Sequence, residues 1–220
     1  MEKRAFSVAL LWILSCAVCL WFPVRKPRLG EHNVTLTLPY AAHFFTSKKM
    51  FFVSFVAPLC TLYILSGNKK RKSIEPFLFS QAGAVFFCLL LKYTLLVPRP
   101  SFYSCLEKAR GEESVSLWSR ITGDKTSIGC WLSFPSNHAV FIVTGAGHLL
   151  LSVLSGNTPA NIPLKDRLAL YTILPLITLA VAVSRILENH HRPVDVLGGM
   201  AIGMSFSIVS LATYTEPAVY

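Results

Sequence analysis

Three short stretches of the 220-residue chain gather residue types that handle an anionic group. Lys92 is followed seven residues later by Arg99-Pro100. Ser133-Phe134-Pro135-Ser136-Asn137-His138 comes next, and Ser184-Arg185 then leads into Glu188, Asn189, His190, His191, Arg192, Pro193 and Asp195. Singly, each has a plain structural reading. Lys92 can snorkel to an interface while Arg99 decorates a loop, Ser136 or Asn137 can cap a helix, and Asp195 can complement a helix dipole. Together they bring three cations, two histidines, a carboxylate and a hydroxyl, an inventory that suits phosphoryl transfer. A phosphate monoester spreads its charge over three non-bridging oxygens. Arg99 and Arg185 offer planar bidentate donors to them, Lys92 a point charge, and a helix beginning after Ser136 adds free N–H groups. Neutral imidazole is a nucleophile near pH 7, and a carboxylate on its other N–H selects the tautomer. The four-residue step from His191 to Asp195 suits that partnership, and His138 can protonate the leaving alkoxide and later activate water.

The elements that must position these residues are membrane spans. The chain is 53% apolar and 15% charged, and its long apolar runs approach the roughly 20 residues that cross about 30 Å of hydrocarbon. Six are expected, near residues 5 to 24, 50 to 66, 76 to 96, 136 to 154, 168 to 187 and 194 to 214. The expected fold is therefore an all-α integral membrane protein, a single domain over residues 1 to 220, with a long connection from Val97 to Pro135. Parity puts the first, third and fifth loops on one face, so the three stretches meet at helix ends on one side of the membrane. The first run reads as a retained anchor and not a cleaved signal, because no small-x-small site is clear and Arg25, Lys26 and Arg28 follow.

Orientation follows from charge density. Lys69-Lys70-Arg71-Lys72 packs four cations into a short turn, which the positive-inside rule places in the cytoplasm. The total of Lys and Arg is higher in the opposite loops, but those include the anion-handling residues. The site is then expected on the extracytoplasmic or lumenal face, where Asn33-Val34-Thr35 is a usable sequon. The net charge of +10 serves topology and anionic headgroups and does not imply nucleic acid. Of the six cysteines only Cys105 and Cys130 lie in a polar loop, and they can pair if that loop faces an oxidising compartment.

These residues resemble the type 2 phosphatidic acid phosphatase superfamily of integral-membrane lipid phosphate phosphatases. Its Lys-x6-Arg-Pro motif stands at Lys92 to Pro100, its Pro-Ser-Gly-His motif at Pro135-Ser136-Asn137-His138, and its Ser-Arg-x5-His-x3-Asp motif at Ser184, Arg185, His191 and Asp195. The resemblance implies His191 as the nucleophile that forms a phosphohistidine, Asp195 as its orienting partner and His138 as the general acid. It implies Lys92, Arg99, Ser136, Asn137 and Arg185 as phosphate ligands. It also favours His191 over His190, which is one residue early. Asn137 departs from the pattern by replacing glycine, and its side chain is expected in the phosphate pocket.

The substrate expected on this reading is a lipid phosphate such as phosphatidate, lysophosphatidate or a sphingoid phosphate, with no cofactor and no metal. Alternatives are a polyisoprenyl diphosphate phosphatase, a membrane sugar phosphatase, or a non-enzymatic phosphate-binding transporter or scaffold. The two histidines weigh against the last, since a binder needs only the cations. Oligomeric state has no signature in the chain. His148 reads as a packing residue in the fourth span, and Phe102, Tyr103, Trp118 and Trp131 read as an interfacial aromatic belt.

Overall fold

The computed structural model describes residues 2–21, 36–41, 44–67, 70–111, 128–156 and 162–214. Seven helices account for most of them: α1 (Glu2–Trp21), α2 (Ser47–Leu65), α3 (Lys70–Leu95), α4 (Phe102–Gly111), α5 (Asn137–Leu154), α6 (Leu164–Leu187) and α7 (Pro193–Tyr214). No strand occurs among the described residues. Helices α2, α3, α5, α6 and α7 are each long and apolar enough to cross a membrane, and the 20-residue α1 stands where the first span was expected. The sequon at Asn33, the Lys69 end of the basic run, and Trp118 lie outside the described residues.

Helix α5 is the hub, packed against α2, α3, α6 and α7. Small residues let its neighbours come close. A Cβ on Gly145 would lie 1.9 Å from the carbonyl oxygen of Ser54 in α2, one on Gly199 2.7 Å from that of Ser136, and one on Gly203 2.8 Å from that of Val140. Van der Waals approach at Gly199 and Gly203 seats the start of α5 against the start of α7, where the second and third motifs lie. Outward, α6 shows Leu164, Leu168, Ile173, Leu176, Leu179, Val183 and Leu187, the apolar face that lipid solvates. Inward, the bundle is partly polar: Gln81, Thr144, His148, Ser207 and Ser210 are buried. Ser207 Oγ donates to the carbonyl of Thr144 at 3.1 Å, and His148 Nδ1 lies 3.1 Å from Ser210 Oγ, so His148 is a packing residue far along α5 from the motifs.

Helix α2 is not uniform. Thr46 caps it by accepting from the N–H of Lys49 at 3.5 Å, and residues Phe52–Val56 form a π segment. There the Ser54 carbonyl accepts from Gln81 Nε2 at 3.1 Å, and Ser54 Oγ donates back to Met50 O at 2.6 Å. Helix α3 ends where Leu96 enters the left-handed region at φ 46°, an uncommon place for leucine, held because its side chain is buried in a cluster with Leu36, Phe102, Cys130 and Trp131.

That cluster corrects the aromatic-belt expectation. Phe102 and Trp131 are only 3% and 5% exposed and meet edge to face at 4.7 Å. They form the core of the long connection instead of lying at an interface. Cys105 and Cys130 are joined by a disulfide there.

Candidate active site

Each motif sits at the end of an element that fixes its direction. Lys92 occupies the last turn of α3, 3% exposed, and its Nζ donates to the carbonyl of Leu132 at 2.6 Å. A buried ammonium needs such partners. Past Leu96 the chain runs beside residues 130–133: the Arg99 N–H donates to Cys130 O and the Ser133 N–H to Val97 O, both at 2.9 Å. The first motif is thereby zipped to the approach of the second, at the disulfide-bonded Cys130 itself. Arg185, fully buried in the last turn of α6, pairs through Nη2 with Glu188 and places Nη1 3.4 Å from His138 Nε2.

A tight turn delivers the two adjacent histidines. Glu188 closes α6 and Asn189 follows at φ 57°, a left-handed residue of the kind that ends helices. The N–H groups of His190 and His191 then both point to the carbonyl of Arg185, at 3.2 and 3.3 Å. His190 is fully buried, with Nδ1 3.4 Å from Arg99 Nη1, Nε2 3.6 Å from Glu188 Oε2, and its ring edge-on to Tyr40. Glu188 thus touches Arg185 directly and reaches Arg99 through His190. His191 is 5% exposed.

Asp195 stands apart from its expected contact. Its Oδ2 accepts from Ser133 Oγ at 2.6 Å and from the Arg192 N–H at 2.8 Å, and its carbonyl accepts from the Ser136 N–H at 2.9 Å. No hydrogen bond joins it to His191 among the described residues. The reason is local: Asp195 is the third residue of α7, and a carboxylate there folds back onto the N-cap N–H. Its link to His191 runs through Ser133, whose backbone hydrogen-bonds the His191 ring.

Asn137 has a partner that the sequence did not suggest. Its Oδ1 accepts from Cys88 Sγ of α3 at 2.8 Å, one helical turn before Lys92. Asn137 opens α5, whose N-cap Ser136 makes no side-chain cap bond. Ser136 Oγ, Arg99 Nε and His191 Nδ1 are buried without a hydrogen-bond partner among the described residues. Burying such groups unpaired is unfavourable, and an anion rich in acceptor oxygens would satisfy the arginine and the serine.

The electrostatics match. Burial first, then the positive charges of Lys92 and Arg99 and the proximity of His138, hold His191 well below the usual 6.5, which keeps it a neutral imidazole. Burial, and Arg185 beside it, push Arg99 below its ordinary value, though a guanidinium remains cationic. His138 Nε2 lies 3.4 Å from Arg185 and 3.1 Å from the carbonyl of Phe45. Bare, it accepts from Arg185; protonated, it donates to Phe45. Either state has a partner, as an acid that later acts as a base requires.

The structure thus gathers Lys92, Arg99, Ser136, His138, Arg185, His191 and Asp195 into one layer. It adds Glu188, His190, Ser133 and the carbonyls of Leu132 and Phe45, which sequence reasoning did not assign. Only Glu188 carried a signal, being an acid three residues after Arg185. The family model of the PAP2 superfamily matches residues 75–217, a range that holds all three motifs. No solved structure matches the chain.

Proposed function

Because the chain belongs to the PAP2 superfamily, it is a phosphatase, carried on helices that fit a multi-pass membrane protein, and we propose that it cleaves lipid phosphates through a phosphohistidine on His191. The observation that carries this reading is geometric: His191, 5% exposed, is tied by its N–H to the Arg185 carbonyl at 3.3 Å, and the Arg185 guanidinium stands 3.4 Å from His138, so two histidines sit among the cations. A binding site needs the cations, but it has no use for a nucleophile held ready in their midst.

Lys92, Arg99, Arg185, Ser136 and the first N–H groups of α5 hold the three non-bridging oxygens. An imidazole nitrogen of His191 forms the bond to phosphorus as the bond to the leaving oxygen breaks, and His138 gives its proton to that oxygen. In the second step His138 takes a proton from water, the water oxygen attacks phosphorus, the N–P bond breaks and inorganic phosphate leaves. No metal takes part. Asp195 positions His191 through Ser133. The placement of the site at helix ends favours a substrate whose chains stay in the bilayer, of the phosphatidate, lysophosphatidate or sphingoid phosphate class. The disulfide between Cys105 and Cys130 supports an extracytoplasmic or lumenal face.

Phosphate release from the purified protein in detergent with chelator tests this. His191→Ala is expected to abolish turnover, His138→Ala to lower kcat about 10²- to 10⁴-fold, and His190→Ala to lower it far less. A labelled phosphohistidine should be trapped on wild type and lost in His191→Ala. Turnover that survives loss of His191, or vanishes with chelator, refutes the mechanism.

A further inference from the structure

A cavity of about 240 Å³ lies between the start of α2 and the start of α5, lined by Ser47, Met50, Phe51, Asn137, His138 and Phe141. Its walls are largely apolar, and it touches the reacting groups through His138. The phosphate-handling residues Lys92, Arg185 and His191 are buried, whereas His138 is half-buried, and the cavity is open space on its flank. Met50, 4% exposed, forms the floor, and Phe51, 54% exposed, stands at the rim on the surface of a helix that fits the bilayer. The amide of Asn137, tied to Cys88, adds a polar edge on the α3 side.

We infer that this cavity binds one aliphatic segment of the leaving alcohol, making the protein selective for lipid phosphates with a single chain. The inference rests on the phosphatase reading above. A general acid stands beside the oxygen it protonates, so whatever that oxygen carries must lead away along the open side of His138, and that side is apolar. The size sets the number of chains. Sites for drug-sized ligands start at about 300 Å³, and this cavity is smaller, so one hydrocarbon segment fits and two side by side do not. Ser47 lines it from α2 and Phe141 from α5.

The test uses the full chain in mixed micelles with three probes: lysophosphatidate with one chain, phosphatidate with two, and glycerol 3-phosphate with none. Wild type is expected to turn over the one-chain probe with at least tenfold higher kcat/KM than the two-chain probe. Ser47→Trp and Phe141→Trp, which fill the cavity, should raise KM for lysophosphatidate at least tenfold and leave glycerol 3-phosphate hydrolysis unchanged. Phe141→Ala, which enlarges it, should narrow the gap between one and two chains, and it keeps the inference testable if a tryptophan variant fails to fold. Equal wild-type preference for the two lipids, or a preference untouched by all three variants, overturns the cavity inference while leaving the phosphatase reading intact. Wild type that releases phosphate from none of the probes overturns both.

Discussion

Glu188 and His190 form a small relay behind the two arginines. With Nδ1 facing the Arg99 guanidinium at 3.4 Å and Nε2 facing Glu188 at 3.6 Å, His190 is suited to the tautomer protonated on Nε2, accepting from Arg99 and donating toward the carboxylate. Glu188 in turn is the buried counter-ion of Arg185. Breaking a buried pair from one side leaves a bare charge and costs about 3–5 kcal/mol. Glu188→Ala should therefore lower the melting temperature in detergent, and inorganic phosphate should restore more of the loss than it adds to wild type, because the anion replaces the missing charge. Equal phosphate stabilisation of both proteins would refute this. A pH effect belongs to His191. Its folded-state pKa lies below the unfolded value near 6.5, so under that pH the unfolded chain takes up a proton that the folded chain refuses, and stability falls as pH falls. His191→Asn should flatten the melting curve's decline between about pH 6.5 and 5. Lys92→Met removes one of the cations that depress His191 and should move the acid limb of its residual activity to higher pH.

At the scale of elements, the seam between α5 and α7 sets the site. A Cβ on Gly199 would stand 2.7 Å from the Ser136 carbonyl and 3.0 Å from the Ala139 Cβ, so Gly199→Ala should wedge the second motif from the third. We expect a loss of about 1–3 kcal/mol in stability and at least a tenfold loss of kcat. Gly147→Ala, on α5 across the same seam, meets nothing nearer than 3.5 Å and should behave like wild type, so equal effects at the two glycines would argue against the wedge. Apolarity made the spans legible because the bilayer demands it, but it marks the membrane and not the helix. Helix α3 starts at Lys70 and α6 at Leu164, earlier than expected, because the charged first turns Lys70-Arg71-Lys72 and Lys165-Asp166-Arg167 are helical without being apolar. The motif residues were legible by type and spacing. The Asp195 to Ser133 bond was not, because a carboxylate's choice between an imidazole and its own helix cap depends on where α7 begins. Nor was the burial of Phe102 and Trp131, which follows from the fold of the connection they sit in and not from their own pattern.

Across the whole molecule, the described parts of the long connection form a second small core, closed by Cys105 and Cys130 and continuous with Leu36 and Leu96. It fixes residues 97–99 against 130–133, and these segments carry Arg99, the carbonyl that holds Lys92, and Ser133. Loss of a native disulfide from a small unit typically costs about 2–5 kcal/mol. Cys130→Ser, or incubation with reductant, should lower phosphate affinity and kcat while the helical circular dichroism of the bundle persists. Full activity under reduction, with free thiols confirmed by alkylation, would show that the clamp is dispensable.

The π segment Phe52–Val56 has a further consequence for the length of the chain. A π turn accommodates one surplus residue, and each residue of a regular helix advances the azimuth by about 100°. Deleting one amino acid from that stretch would let the ladder close at uniform pitch and swivel Ser47, Met50 and Phe51 by over a quarter revolution, so that they no longer flank His138. A single-codon deletion in that stretch would thus rewrite which substrates are accepted and would carry along the Phe45 carbonyl that faces His138.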